Sequence, residues 1–333
     1  MDSIQTRKFD LGLVLSVIKT LIYFKVRAIR PTLVKVQRLL LNLSGIHFSS
    51  VSLSKIREIL SWLQEKGLIE GEGGIYQWGK DQSNVPVSAS VQQSKIVAEK
   101  MKIAVRAIRI LKLIPAIKLI GVCGTVATGN PRESSDIDLF IVTKAGRIWS
   151  TRLWIMVLLE VAGLRKKKYK KAGRICLNYL VADDNLELKF KDLYTALEFV
   201  SMICLLDRGN TLRKLKMKNL WIKKYLPNAE WPEIEDLNYW QQKIRGQKIK
   251  GSKRRLRKIV VAFNLWEKLA MIFQERRIKR KRKKEKGGQV YWGADALIFH
   301  PKPKSILFRE LYQQELVKQK RVIQGVLGEV ESL

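Results

Sequence analysis

Residues 10–28, DLGLVLSVIKTLIYFKVRA, place apolar side chains at the three- and four-residue spacing of a helix, and Pro31 lies just beyond. The same spacing predicts a short helix over 32–43 and a third over 52–66, with Ser52 or Ser54 as N-cap and Gly67 at its stop. LIEGEGGIYQW follows, two strand-like pieces around a GEGG turn, which predicts a hairpin. Three helices and a hairpin are the order of a winged helix-turn-helix. Residues 79–94 are polar with Pro and Ser, as in a linker, and a helix fits 91–113, ending at Pro115. Short apolar runs then predict buried strands over 117–123, 136–143 and 173–183, with helices over 146–164 and 192–209. This alternation is an α/β layer. The last third reads as largely helical, including 299–320 after Pro303. There is no internal repeat.

Composition narrows the class of protein. With 333 residues and 46% hydrophobic content, the chain can build two or three packed domains and is not disordered. Lys and Arg total 64 against 30 acids, a formal charge of +34, which calls for a polyanionic partner: nucleic acid first, an anionic membrane surface second. Residues 243–286 alone hold 19 basic and 3 acidic residues. Lys35, Arg38, Lys55 and Arg57 make the first module basic as well. Two readings of that module stand side by side, nucleic-acid contact by its third helix and wing, or packing and oligomerisation. Cys123, Cys176 and Cys204 lie in apolar surroundings and read as reduced core thiols of a cytoplasmic protein. With His47 and His300 the only histidines, a catalytic metal must sit on carboxylates. The first residues lack signal-peptide order, and no apolar stretch is long enough to span a bilayer.

Chemistry concentrates in GTVATGNPRESSDIDLFIVT, residues 124–143. Asp136 and Asp138 stand at i and i+2 of a strand, so both carboxylates share one face while Ile137 and Leu139 enter the core. Two carboxylates that close repel, and a cation between them removes the cost. Mg²⁺ (or Mn²⁺) suits oxygen ligands and keeps positions for water and phosphate. Gly124 and Thr125 follow a strand directly, so their amides and the Thr125 hydroxyl are candidates to hold phosphate oxygens, with Arg132 adding charge.

An apolar strand, Gly-Thr, ten intervening residues and Asp-Ile-Asp-Leu together resemble the signature of the DNA polymerase β-type nucleotidyltransferase superfamily. ICLNYLV, DLYTA and NLWIKKYLPN also look like a group of bacterial nucleotidyltransferase-domain proteins of unassigned substrate. The resemblance spans about residues 115–185 and departs from the motif at Thr125, where Ser or Gly is usual. Taken with the patterns above, the chain reads as an α+β protein: a winged-helix-like module over 1–80, a linker over 81–94, a small mixed-sheet nucleotidyltransferase core over 95–210, and a helical basic region over 211–333. The resemblance implies Mg²⁺-dependent transfer of a nucleoside monophosphate from an NTP to a hydroxyl or phosphate acceptor, with RNA favoured by the basic surface. The family's third carboxylate aligns with Asn178, which can ligate a metal but is not a base; Asp183 and Asp184 follow at the strand end. A degenerate transferase fold that binds nucleic acid without chemistry is the alternative, and a basic peripheral membrane protein a third.

Overall fold

A computed structural model describes residues 9–42, 50–79, 88–167, 169, 171–231, 233, 263–282, 289–300 and 304–332. Within them the protein is mixed α and β, with 12 helices and a mixed sheet. The first three helices are α1 (Leu11–Val26), α2 (Leu33–Arg38) and α3 (Leu53–Glu65), each opened by a side-chain cap. Asp10 accepts from the Leu13 amide, Thr32 from Lys35, and Ser52, rather than Ser54, from Lys55. The helix expected over 32–43 is thus shorter, because the chain turns at Leu39 and the Leu41 amide donates to Thr20 Oγ1 instead. Strands β1 (Ile69–Glu72) and β2 (Ile75–Trp78) form the antiparallel hairpin around Gly73 and Gly74, both at positive φ.

Helix α4 (Ser88–Leu111) begins inside the expected linker; residues 80–87 lie outside the described residues. The main sheet uses β3 (Ile117–Cys123), β4 (Ile137–Thr143), β5 (Ile175–Ala182) and three strands more. Between them come α5 (Gly124–Thr128), α6 (Ile148–Val161) and α7 (Leu193–Val200). The helix expected over 192–209 is overturned: α7 stops at Val200 and β6 (Ile203–Asp207) pairs antiparallel with β3. An apolar run as short as ICLL fits either element, and the free edge of β3 decides it.

Helices α8 (Thr211–Lys218), α9 (Ile222–Tyr225) and α10 (Phe263–Arg282) follow. The C-terminal region, expected to be largely helical, also contains a hairpin of β7 (Gln289–Trp292) and β8 (Ala296–His300). β8 pairs with β5 through Tyr179 and Ile298, so the sheet draws on strands from both sides of residue 210. Its order is β6-β3-β4-β5-β8-β7, with β4 and β5 parallel and the other pairs antiparallel. Helices α11 (Lys304–Lys318) and α12 (Lys320–Ser332) end the described chain.

Strand alternation sorts the core into two layers. Ile137, Leu139 and Ile141 of β4 join α4, α6 and α10 on one side. Phe140 and Val142 join the N-terminal helices, α7, α11 and α12 on the other. No helix among the described residues is long and apolar enough to cross a membrane.

Candidate active site

The site forms at the mouth of β3, β4 and β5, on the sheet face shared with Phe140. Asp138 stands in the register between Cys123 of β3 and Cys176 of β5. Asp136 precedes β4 by one residue, on the same face. Asp136, Asp138 and Cys176 bring one ligand atom each within 4.8 Å of one another. The expected shared face is therefore present, and it includes a thiol that sequence reading assigned to the core.

Lys166, unmarked in the sequence, enters from the segment after α6. The Lys166 amide donates to the Ile175 carbonyl at 3.0 Å, which lays this segment beside the start of β5. Its ammonium pairs with Asp136 and lies 3.3 Å from Cys176 Sγ. Burial works against that ammonium, but Cys176 and the Asp136 carboxylate outweigh it and hold its pKa above the ordinary value. Burial pushes the Cys176 thiol up to about 12, with Asp138 acting in the same direction and Lys166 against it. The thiol is neutral there, and it donates to Asn178 Oδ1 at 2.8 Å.

Asn178 is the extra residue of a bulge: Leu139 pairs with Leu177 and Phe140 with Tyr179. Its amide Nδ2 donates to Asp138. Asn178 thus lies beside Asp138, 8% exposed. Asp183 is at the opposite end of the sheet. Its amide donates to the Thr143 carbonyl and its carboxylate accepts from Ala145, so Asp183 and Asp184 are no substitutes.

The glycine turn has a firm geometric cause. Gly124 has φ +70°, and a Cβ there would lie 2.7 Å from Asp138 Oδ2. The expectation of an open Gly124 amide is corrected: it donates to Glu198 Oε2 of α7 at 2.9 Å. Glu198 also pairs with Arg27 of α1 at 3.7 Å. Thr125 is half-buried, with its carbonyl accepting from the Asn130 amide at 2.8 Å. Arg132 is exposed on the loop that leads into β4, where its amide donates to Ser135 Oγ at 2.9 Å. Asp138, Asn178, Cys123, Glu198 and Tyr194 border a cavity whose enclosed part is about 40 Å³, room for a water or two.

The basic residues of the first module divide. Lys35 Nζ donates to the Thr128 carbonyl at 2.8 Å, and Arg38 reaches the carbonyls of Val200 and Glu230, so α2 clamps the module to the site loops. Lys55 and Arg57 of α3 remain exposed. Of the basic stretch 243–286, only 263–282 falls within the described residues. The parts played by Lys166, Cys176 and Glu198 were not legible in the sequence, because their approach depends on tertiary pairing; strand parity of Cys176 with Asn178 was the one local signal. Comparisons with protein-family models, with curated proteins and with solved structures gave no match.

Proposed function

We propose that the protein is a Mg²⁺-dependent nucleotidyltransferase that moves a nucleoside monophosphate from an NTP to a hydroxyl or phosphate acceptor, RNA being favoured. One observation carries this reading: two carboxylates on one strand face, directly against a glycine turn that only glycine fits. The donor set suits a hard cation. Asp136 and Asp138 offer oxygen, which a hard cation prefers to the Cys176 sulfur. Bound there, Mg²⁺ supplies charge for the phosphates and for the attacking oxygen. Lys166 pairs with Asp136, and Asn178 fixes the orientation of Asp138. The Gly124 amide already receives one anion, the Glu198 carboxylate, and is the donor that a phosphate oxygen takes over. Thr125 and Arg132 flank that turn as further phosphate ligands. The first three helices and hairpin serve as a winged-helix-like module whose exposed Lys55 and Arg57 face the acceptor. The test incubates purified protein with each labelled NTP, Mg²⁺ and total RNA. Labelled RNA and released pyrophosphate are expected with wild type, and neither with Asp138→Asn.

A second reading has its own observation. Lys166 already neutralises Asp136, and Asn178, not an acid, lies beside Asp138. This favours a catalytically degenerate scaffold that binds nucleic acid. Salt-sensitive RNA binding with no pyrophosphate from any NTP selects it.

A further inference from the structure

Polar donors are left over where α6 packs against α10, in the layer on the opposite side of the sheet from Phe140. Arg152 Nη1 donates to Gln274 Oε1 at 2.5 Å, and its guanidinium lies 4.7 Å over the Phe299 ring. Gln274 is itself buried and fixed, its Nε2 donating to the Trp149 carbonyl at 2.8 Å and to Ala270 at 3.1 Å. The guanidinium is therefore held by rigid neighbours, yet among the described residues it has no carboxylate partner. Every acid of the two helices is engaged elsewhere. Glu267 caps α6 through the Trp149 and Ser150 amides, both at 2.8 Å, Glu275 pairs with Lys279, and Glu160 with Arg165 and Lys167.

Two donors in this place have no hydrogen-bond partner among the described residues. Arg152 Nε is buried without one, and so is Trp149 Nε1, three residues earlier on the same helical face. Buried donors and buried charges in folded proteins normally have partners, which a water or a bound anion can supply. Burial pushes the Arg152 pKa down to about 10, and the neighbouring charges of Arg165 and Arg277 act in the same direction. An anion beside the guanidinium would offset these charges. A phosphate group matches best, since a guanidinium presents a planar fork of donors to its oxygens.

We propose that Arg152, with Trp149 Nε1, forms a binding site for a phosphate group where α6 meets α10. The site needs none of the β4 carboxylates and stands whether or not the protein transfers nucleotides. Free phosphate compounds and the phosphodiesters of a nucleic acid share this chemistry.

The experiment titrates the full chain with pyrophosphate and with inorganic phosphate at fixed ionic strength, reading binding heat and Tm. Pyrophosphate is expected to raise the wild-type Tm. Arg152→Met removes a buried charge but also leaves Gln274 Oε1 without its donor, so the readout is the anion response and not the absolute Tm: it should bind pyrophosphate about tenfold more weakly and lose most of the Tm rise. Trp149→Phe, which removes one N–H, should weaken binding a few-fold. Equal affinity in all three proteins overturns the proposal. So does an Arg152→Met protein that melts several degrees lower with its anion response intact, since Arg152 is then only a strut for Phe299 and Gln274. If Arg152→Met does not fold, Arg152→Lys keeps the charge without the fork, and the same loss of affinity is expected. Binding of a single-stranded RNA oligonucleotide across salt separates the sources. A slope lower by about 0.7 in Arg152→Met assigns the site to a phosphodiester. An unchanged slope with pyrophosphate binding abolished assigns it to a free phosphate compound.

Discussion

Asn178 donates its amide to Asp138, so the residue opposes charge with a dipole rather than adding a third charge. Asn178→Asp replaces that donor with a carboxylate facing Asp138. Two effects compete: repulsion in the metal-free protein, and a stronger cation site. We expect the Tm to fall without metal and to recover in millimolar Mg²⁺, measured by thermal unfolding in both conditions. A variant that melts like wild type in each would remove Asn178 from the proposed cation site. Cys204 illustrates a different residue-level effect. Burial, reinforced by Asp207, holds its thiol up to about 12 against an ordinary value of 9.0. Between those pH values the native state keeps a proton that the unfolded chain has released. The stabilising contribution is therefore complete below pH 9 and declines as the pH rises toward 12. Urea unfolding across this window should show that decline in wild type and a flatter profile in Cys204→Ala, whatever the variant's absolute stability.

At the scale of elements, α2 is a clamp. Lys35 gives its ammonium to the last carbonyl of α5, and Arg38 reaches two carbonyls from α7 and the segment after α9. Asn228 adds a third tie, accepting from the Val51 amide at 2.8 Å and donating to the Gln37 carbonyl at 2.9 Å. Burial lowers the Lys35 pKa, with Arg38 and Arg27 adding to it, so the fold bears a cost to keep this ammonium in place. Lys35→Met leaves the Thr128 carbonyl unpaired and should cost about 1–3 kcal/mol in chemical denaturation. The exposed pair Lys55→Ala and Arg57→Ala should each stay within about 0.5 kcal/mol of wild type. Equal destabilisation at Lys35 and Lys55 would mean that α2 does not clamp the module.

Charge acts on the whole molecule. The formal +34 cannot be neutralised internally by 30 acids against 64 bases, so the surface holds a positive field at any ordinary pH. In α10 that field lies beside exposed apolar side chains, Trp266, Leu269 and Phe273, a combination that suits single-stranded nucleic acid through phosphates and stacked bases. Neutralising Arg276, Arg277, Lys279, Arg280, Lys281 and Arg282 together should lower the slope of log affinity for RNA against log salt by about 0.7 for each phosphate no longer held. Lys279 is expected to contribute least, because it already pairs with Glu275 at 2.8 Å. An unchanged slope assigns the run to another partner.

The sequence by itself determined what depends on near neighbours. The periodicities of 10–28 and 52–66 set α1 and α3, the GEGG turn set the first hairpin, and the parity of Asp136 with Asp138 set their common face. These follow from rises and side-chain directions within a few residues. Tertiary structure decided what depends on distant ones. ICLLD became β6 because the edge of β3, far earlier in the chain, offered its hydrogen bonds, and QVYWGADALIFH became two strands because β5 had an edge to cover. Lys166 meets Asp136 across 30 residues and Glu198 meets Gly124 across 74. The same local pattern of charges is compatible with an open cation site or with one closed by a lysine. Only the packing of the strands sets which groups share the few ångströms over which charges and hydrogen bonds act.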